Sequence, residues 1–269
     1  MNSDRILQEL ESLTVIAGRD KAGRDEAENI DFRAGEISAL LGPTGSGKSC
    51  FLSDIESLAN GDTPTGRRLL LNGVPPDPDA RFALQGRLVA QLTQNMNFVL
   101  DMKVGDFIRA HAESREVPDP EAVALRVIEA ANRLAGEPLS ACSQLTELSG
   151  GQSRALMIAD TALLSWSPVI LIDEIENAGV DKRSALDLLI KSDKIIVIAT
   201  HDPVLALSAD RRLVFRHGSV KQVIQRTDEE KELLEGLLEM EQHLSCIRDI
   251  LRRGSPLPTG KTSMVQPLL

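Results

Sequence analysis

Uninterrupted apolar runs alternate along this chain with segments whose apolar positions recur every three to four residues, and the two patterns predict different elements. Residues 36–41, Glu-Ile-Ser-Ala-Leu-Leu, form one such run and stop at Gly42, which predicts a buried strand, a loop and a helix starting near Lys48. Leu69-Leu70-Leu71 before Asn72-Gly73 predicts a strand closed by a tight turn. Val169-Ile170-Leu171-Ile172 and Lys194-Ile195-Ile196-Val197-Ile198-Ala199 are continuous and β-branched, as expected of strands covered on both faces in a parallel sheet. From Val104 to Leu134 the pattern is helical, broken at Val117-Pro118-Asp119-Pro120, where Asp119 is placed to cap a second helix. Strands alternating with helices predict a doubly wound α/β core, and no internal repeat indicates a second one.

Near the C-terminus, Thr227-Asp228-Glu229-Glu230 carries a capping-box pattern, and the helix it opens should stop near Gly254 and Pro256, with a flexible tail beyond. Leu233, Leu237, Met240, Leu244, Ile247 and Leu251 alternate spacings of four and three, which sets them on one stripe of that helix. Such a stripe packs on its own domain or serves as a dimer or partner contact. A length of 269 residues suits one large α/β domain with small additions. The net charge of −10 opposes attraction to a phosphate backbone, so no nucleic-acid partner is expected. Cys50, Cys142 and Cys246 are odd in number and far apart, which points to reduced thiols rather than a disulfide framework or metal cluster. No apolar run approaches the roughly 18 residues of a membrane span, and the N-terminus lacks an apolar signal core, so a cytoplasmic location is expected.

Gly42-Pro43-Thr44-Gly45-Ser46-Gly47-Lys48-Ser49 fits the phosphate-loop pattern in full, in the confirming context of a strand before and a helix after. Its glycines let backbone N–H groups surround phosphates, Lys48 can reach the β- and γ-phosphates, and the Ser49 hydroxyl can sit on Mg²⁺. Asp173-Glu174 ends the second apolar run at the carboxyl edge of the sheet, where Asp173 suits a metal-linked water and Glu174 a base for an attacking water. Leu148-Ser149-Gly150-Gly151-Gln152 taken alone is a helix cap with free N–H groups.

In this order, the three motifs closely resemble the nucleotide-binding domains of ABC ATPases, from about Ile30 to Val220. The resemblance implies a P-loop NTPase core with a parallel sheet, an antiparallel β subdomain and a helical signature subdomain, plus the C-terminal helix. The matching boundaries are a nucleotide-binding domain over residues 1–224 with its helical subdomain at about 100–165, an amphipathic helix over 225–254 and a tail over 255–269. ATP and Mg²⁺ are the implied cofactors. Glu174, His201 and Lys48 are the implied catalytic residues. Nucleotide would be held by residues 42–49, Cys50, Gln94, Ser149, Gly150, Gly151 and Gln152, and the metal by Ser49, Gln94 and Asp173. Gln91 is the fallback for Gln94, Ala178-Gly179-Val180-Asp181 is similar to the segment that touches the opposite subunit, and His201 falls at the family's γ-phosphate switch.

The chain departs from the family pattern in places. It has no tyrosine, and no aromatic residue before Ile30 could stack on adenine, which leaves an aliphatic residue such as Val15 or Ile16. Ile175 stands where proline is usual, Cys50 where threonine is usual, and Ala159-Asp160-Thr161 lacks the usual arginine, so that helix is expected to pack or pair differently. The resemblance further implies a head-to-tail dimer with ATP between the phosphate loop of one subunit and the signature of the other. The expected function is the energising subunit of an ABC transporter, beside a second cassette and a membrane permease. The alternative is a soluble ABC ATPase that assembles, repairs or reactivates a client protein without transport.

Overall fold

The computed structural model describes residues 3–93, 97–173, 180–191, 193–254 and 256. Its elements in chain order begin with α1 (Ser3–Gln8), β1 (Ser12–Ile16), β2 (Ile30–Arg33), β3 (Ile37–Leu41), α2 (Lys48–Glu56), β4 (Arg68–Leu71) and α3 (Pro78–Leu84). They continue with β5 (Val89–Leu92), α4 (Val104–Ser114), α5 (Pro120–Leu134), α6 (Gly150–Leu163), β6 (Val169–Asp173), α7 (Lys182–Ile190) and β7 (Ile195–Ala199). The last are α8 (Pro203–Ser208), the strands β8 (Arg211–Arg216) and β9 (Ser219–Gln225), and α9 (Asp228–Arg252).

The six-stranded sheet has the order β5-β6-β7-β3-β8-β9, parallel except for the antiparallel hairpin of β8 and β9. Its central strands are apolar on both faces because both are covered. Ile170 and Ile172 of β6 and Ile196 and Ile198 of β7 join one core with α4, α5, α6 and α7. Their neighbours Val169, Leu171, Ile195 and Val197 join a second core with α2 and an antiparallel sheet of order β2-β1-β4. Period-two alternation of a wholly apolar strand thus feeds two cores at once.

Local chemistry sets the boundaries. Asn72 and Gly73 both have positive φ, 48° and 77°, the demand of a tight hairpin turn, and Leu71 bridges Val74 across it. Asp119 caps α5 by accepting the Ala122 N–H at 3.1 Å. Asp160, where the usual arginine is missing, pairs α6 to α4 through His111 Nδ1 at 2.8 Å. Arg115 Nε donates to His111 Nε2 at 3.3 Å, which places the ring proton on Nδ1, facing Asp160.

The chain comprises two compact units, residues 1–225 and 226–269. In the second, Thr227 and Glu230 form the reciprocal capping box that opens α9, at 3.1 and 3.4 Å. The stripe residues Leu233, Met240, Leu244 and Leu251 of this helix are exposed. The tail expected over 255–269 lies outside the described residues, apart from Pro256.

Candidate nucleotide site

Strands β6, β7 and β3 are consecutive in the sheet, so their carboxyl ends open side by side. Ligands of open α/β sheets bind at this edge. Asp173 ends β6, Thr200 and His201 follow β7, and residues 42–49 follow β3. Asp173 pairs in register with Ala199, one strand from the phosphate loop.

The loop wraps tightly because two of its glycines admit no side chain. At Gly42, φ is 152° and a Cβ would lie 2.5 Å from the Phe215 carbonyl oxygen; at Gly47, φ is 107° and a Cβ would lie 2.7 Å from Gly218 Cα. The β8–β9 turn is thereby seated on the loop, and Gly218 N–H donates to the Ser46 carbonyl at 2.7 Å. Helix α2 starts at Lys48 with no side-chain cap and no acidic residue in its first turn. Phe51 N–H makes the first backbone bond, to Gly47 O at 3.0 Å, so helix geometry directs the N–H groups of Lys48, Ser49 and Cys50 away from intrahelical acceptors. The partial positive charge of a helix start suits this terminus to an anion.

Lys48 is 6% exposed, and its Nζ donates to Gly42 O at 2.7 Å. The same Nζ lies 3.4 Å from His201 Nε2, so residues 153 positions apart meet on the loop. Ser46 Oγ is buried and has no hydrogen-bond partner among the described residues. A buried hydroxyl without an acceptor fits a site completed by a bound oxyanion. Ser49 and Asp173 add hydroxyl and carboxylate oxygens, the hard donors that suit Mg²⁺. Partial burial pushes the Cys50 thiol above its ordinary value, and Asp54 adds to this. Pro43, Thr44, Gly45 and Ser49 are exposed.

Ser149, Gly150, Gly151 and Gln152 sit at the start of α6. Ser149 Oγ accepts the Gln152 N–H at 3.3 Å, and Gln152 Oε1 accepts the Ser149 N–H at 2.9 Å. The cap predicted for this segment alone is therefore present, and Ser149 and Gly150 are exposed. No hydrogen bond joins these residues to the phosphate loop of the same chain among the described residues. Asp181 caps α7 through the Ser184 N–H at 2.8 Å, and Val180 bridges Ala135. Gln91 lies on β5 opposite Leu171. Gln94, Glu174 and the Ala178-Gly179 part of the subunit-contact segment lie outside the described residues.

Two features were not foreseen. Of the two aliphatic residues expected at adenine, Val15 is 2% exposed and lines a cavity with Ala17, Glu26 and Ile30, and Ile16 is half-buried. Arg67 has no exposed surface and binds Glu26 at 2.6 and 2.9 Å, Asp54 of α2 at 2.9 Å and Gly218 O at 2.6 Å. It ties the β1–β2 loop, the phosphate-loop helix and the β8–β9 turn together. In the sequence Arg67 is one of two adjacent arginines, with nothing to distinguish it from a solvated pair.

The ABC transporter family profile matches residues 26–177. The uncharacterized ABC transporter ATP-binding protein MJ0121 of Methanocaldococcus jannaschii is 50% identical over 258 residues, covering 96% of this chain and 98% of that protein. The macrolide export ATP-binding/permease protein MacB of Brucella abortus is 29% identical over 204 residues, 71% of this chain and 30% of that much longer protein. Among solved structures, cbiO1 of Clostridium perfringens, part of the transporter complex cbiONQ, superposes with a TM-score of 0.60 at 22% identity, covering 87% of this chain and 94% of that one. The dimeric ATP-binding cassette MJ0796, in a post-hydrolysis state with ADP and Pi, gives 0.60 at 20% identity, covering 80% and 99%. Among the described residues no helix is long and apolar enough to cross a membrane. With its motifs in order and its phosphate loop built on this sheet, the chain belongs to the ABC transporter family as one of its ATP-hydrolysing cassettes.

Proposed function

We propose that this chain energises a transporter by closing on ATP·Mg²⁺ head to tail with a second cassette. The carrying observation is the convergence of Lys48 Nζ, Gly42 O and His201 Nε2 within 2.7 to 3.4 Å at the carboxyl edge of the sheet. The α2 terminus and Lys48 bind the phosphates, and Ser46 donates its hydroxyl to them. Ser49, Asp173 and Gln94 would hold Mg²⁺, which would supply charge neutralisation to the phosphates. Glu174 takes a proton from the attacking water, and His201 holds the γ-phosphate end. Exposed Ser149 and Gly150 offer their helix terminus to the nucleotide of the facing subunit. Cytoplasmic residence on a membrane permease fits this reading.

The test is a paired measurement of nucleotide binding and phosphate release on Lys48→Ala and Glu174→Gln. Lys48→Ala should lose binding. Glu174→Gln should keep ATP affinity within about threefold while turnover falls at least about a hundredfold, the scale of a general base. Parental turnover in Glu174→Gln would remove that residue from the mechanism.

A further inference from the structure

The β1–β2 loop carries three cations, Arg19, Lys21 and Arg24, in the stretch that offers no aromatic platform. The loop is internally braced. Asp20, 8% exposed, accepts the Ala22 and Arg24 N–H groups on Oδ1 at 2.8 and 3.0 Å and Arg24 Nε on Oδ2 at 3.0 Å. Lys21 N–H donates to His217 O at 3.0 Å, on the turn that also holds Ser46. Behind the loop, Glu26 accepts the Gly18 N–H at 2.9 Å and is itself gripped by buried Arg67. These bonds fix where the Lys21 stem leaves the backbone.

From that point Lys21 crosses to the phosphate loop, and its Nζ donates to Gly45 O at 2.6 Å. Arg19 and Arg24 are paired with Asp25 and Asp20. Lys21 has no carboxylate partner among the described residues; its bonds are to Gly45 O and His217 O. An exposed ammonium with three donors and one carbonyl acceptor is under-used. Lys48 likewise donates to a carbonyl of the loop, Gly42 O, at 2.7 Å.

We propose that Lys21 is a second phosphate-binding lysine of the nucleotide site, serving the outer arm of the loop as Lys48 serves the inner arm. The assignment rests on the reading of residues 42–49 as a nucleotide phosphate site. A move from the Gly45 carbonyl to a phosphate oxygen replaces a bond to a neutral acceptor with an ion-paired one, which is stronger and shorter. Phosphate contact carries no information about the base, so the gain applies equally to ATP and GTP and offsets part of the missing stacking.

The experiment is equilibrium binding of ATP and GTP with Mg²⁺ to the intact chain and to Lys21→Met, Lys21→Arg and Lys48→Ala. Lys21→Met should weaken both nucleotides by about 10- to 100-fold, by the same factor for each, with an unchanged nucleotide-free melting midpoint. Lys21→Arg should stay within about threefold of the parent. A parent that binds nucleotide and a Met variant that binds within about twofold of it would overturn the assignment while leaving the site reading intact. Loss confined to ATP would overturn it in favour of a base contact. If the parent binds neither nucleotide, or Lys48→Ala binds as the parent does, the reading of residues 42–49 fails and the assignment falls with it.

Discussion

Arg67 is a fully buried guanidinium whose charge is met by Glu26 and Asp54 and whose face lies 5.0 Å from the Phe51 ring. Removing one member of a buried ion cluster leaves the others desolvated without a partner, at about 3–5 kcal/mol. Arg67→Met should lower unfolding free energy by that amount in urea titration and shift nucleotide affinity, because the same side chain holds the loops on either side of the phosphate site. Lys194 gives the pH dependence. Burial, with a smaller push from Arg115, brings its ammonium down from 10.5 to about 8, although Nζ caps α6 through Ser165 O at 2.6 Å and Thr161 O at 3.3 Å. Between about pH 8 and 10.5 the unfolded chain holds this proton and the folded chain does not, so this group's contribution to stability rises with pH there. It is fully gained above the upper value and lost as pH falls through the lower one. Midpoints of urea unfolding should show that rise in the parent relative to Lys194→Met; parallel curves would refute it. The nucleotide base is the third case. With Val15 buried and no aromatic side chain before Ile30, stacking worth about 1–3 kcal/mol is missing, so ATP should be preferred to GTP by less than about a hundredfold.

Elements were legible where one local pattern decides them. The apolar runs of β3, β6 and β7, the turn at Asn72-Gly73, and the caps at Asp119 and Thr227 all fall where residue type and spacing place them. The placing of residues 42–49 between a strand and a helix was legible too. What stayed hidden was long-range pairing. Nothing near Lys21 announces Gly45, and nothing near Asp160 announces His111, because a side chain's partner across the fold leaves no period in the sequence. The apolar stripe of α9 belongs to this scale. Leu233, Met240, Leu244 and Leu251 are exposed along a helix of 25 residues, and exposed leucines at such spacing favour a partner helix. Truncation before Thr227 should leave nucleotide affinity unchanged and lower the apparent mass in sedimentation or reduce recovery of a co-purifying partner. Unchanged mass and unchanged recovery would assign the stripe to the chain's own cassette.

At the scale of the assembly, the phosphate loop and the signature occupy different parts of one chain, and in the proposed reading each would be half of an anion site. Two copies complete both halves if they meet head to tail, with ATP as the adhesive between Lys48 of one and Ser149 of the other. Hydrolysis would then release the contact, so blocking it should trap the dimer. Glu174→Gln keeps the shape of the side chain and would remove the proposed base, while Lys48, Ser49 and Asp173 are unchanged. Size-exclusion chromatography of this variant should show a dimer with ATP and a monomer with ADP. Adding Ser149→Arg should fill the signature pocket and abolish the ATP dimer. That change also removes the cap of α6, at about 1 kcal/mol, so Ser149→Ala in the same background is the control. The alanine variant loses the same cap without filling the pocket, so it should weaken the ATP dimer less than arginine does. An ATP dimer that persists with arginine at this position would place the interface elsewhere, and the head-to-tail arrangement would have to be abandoned.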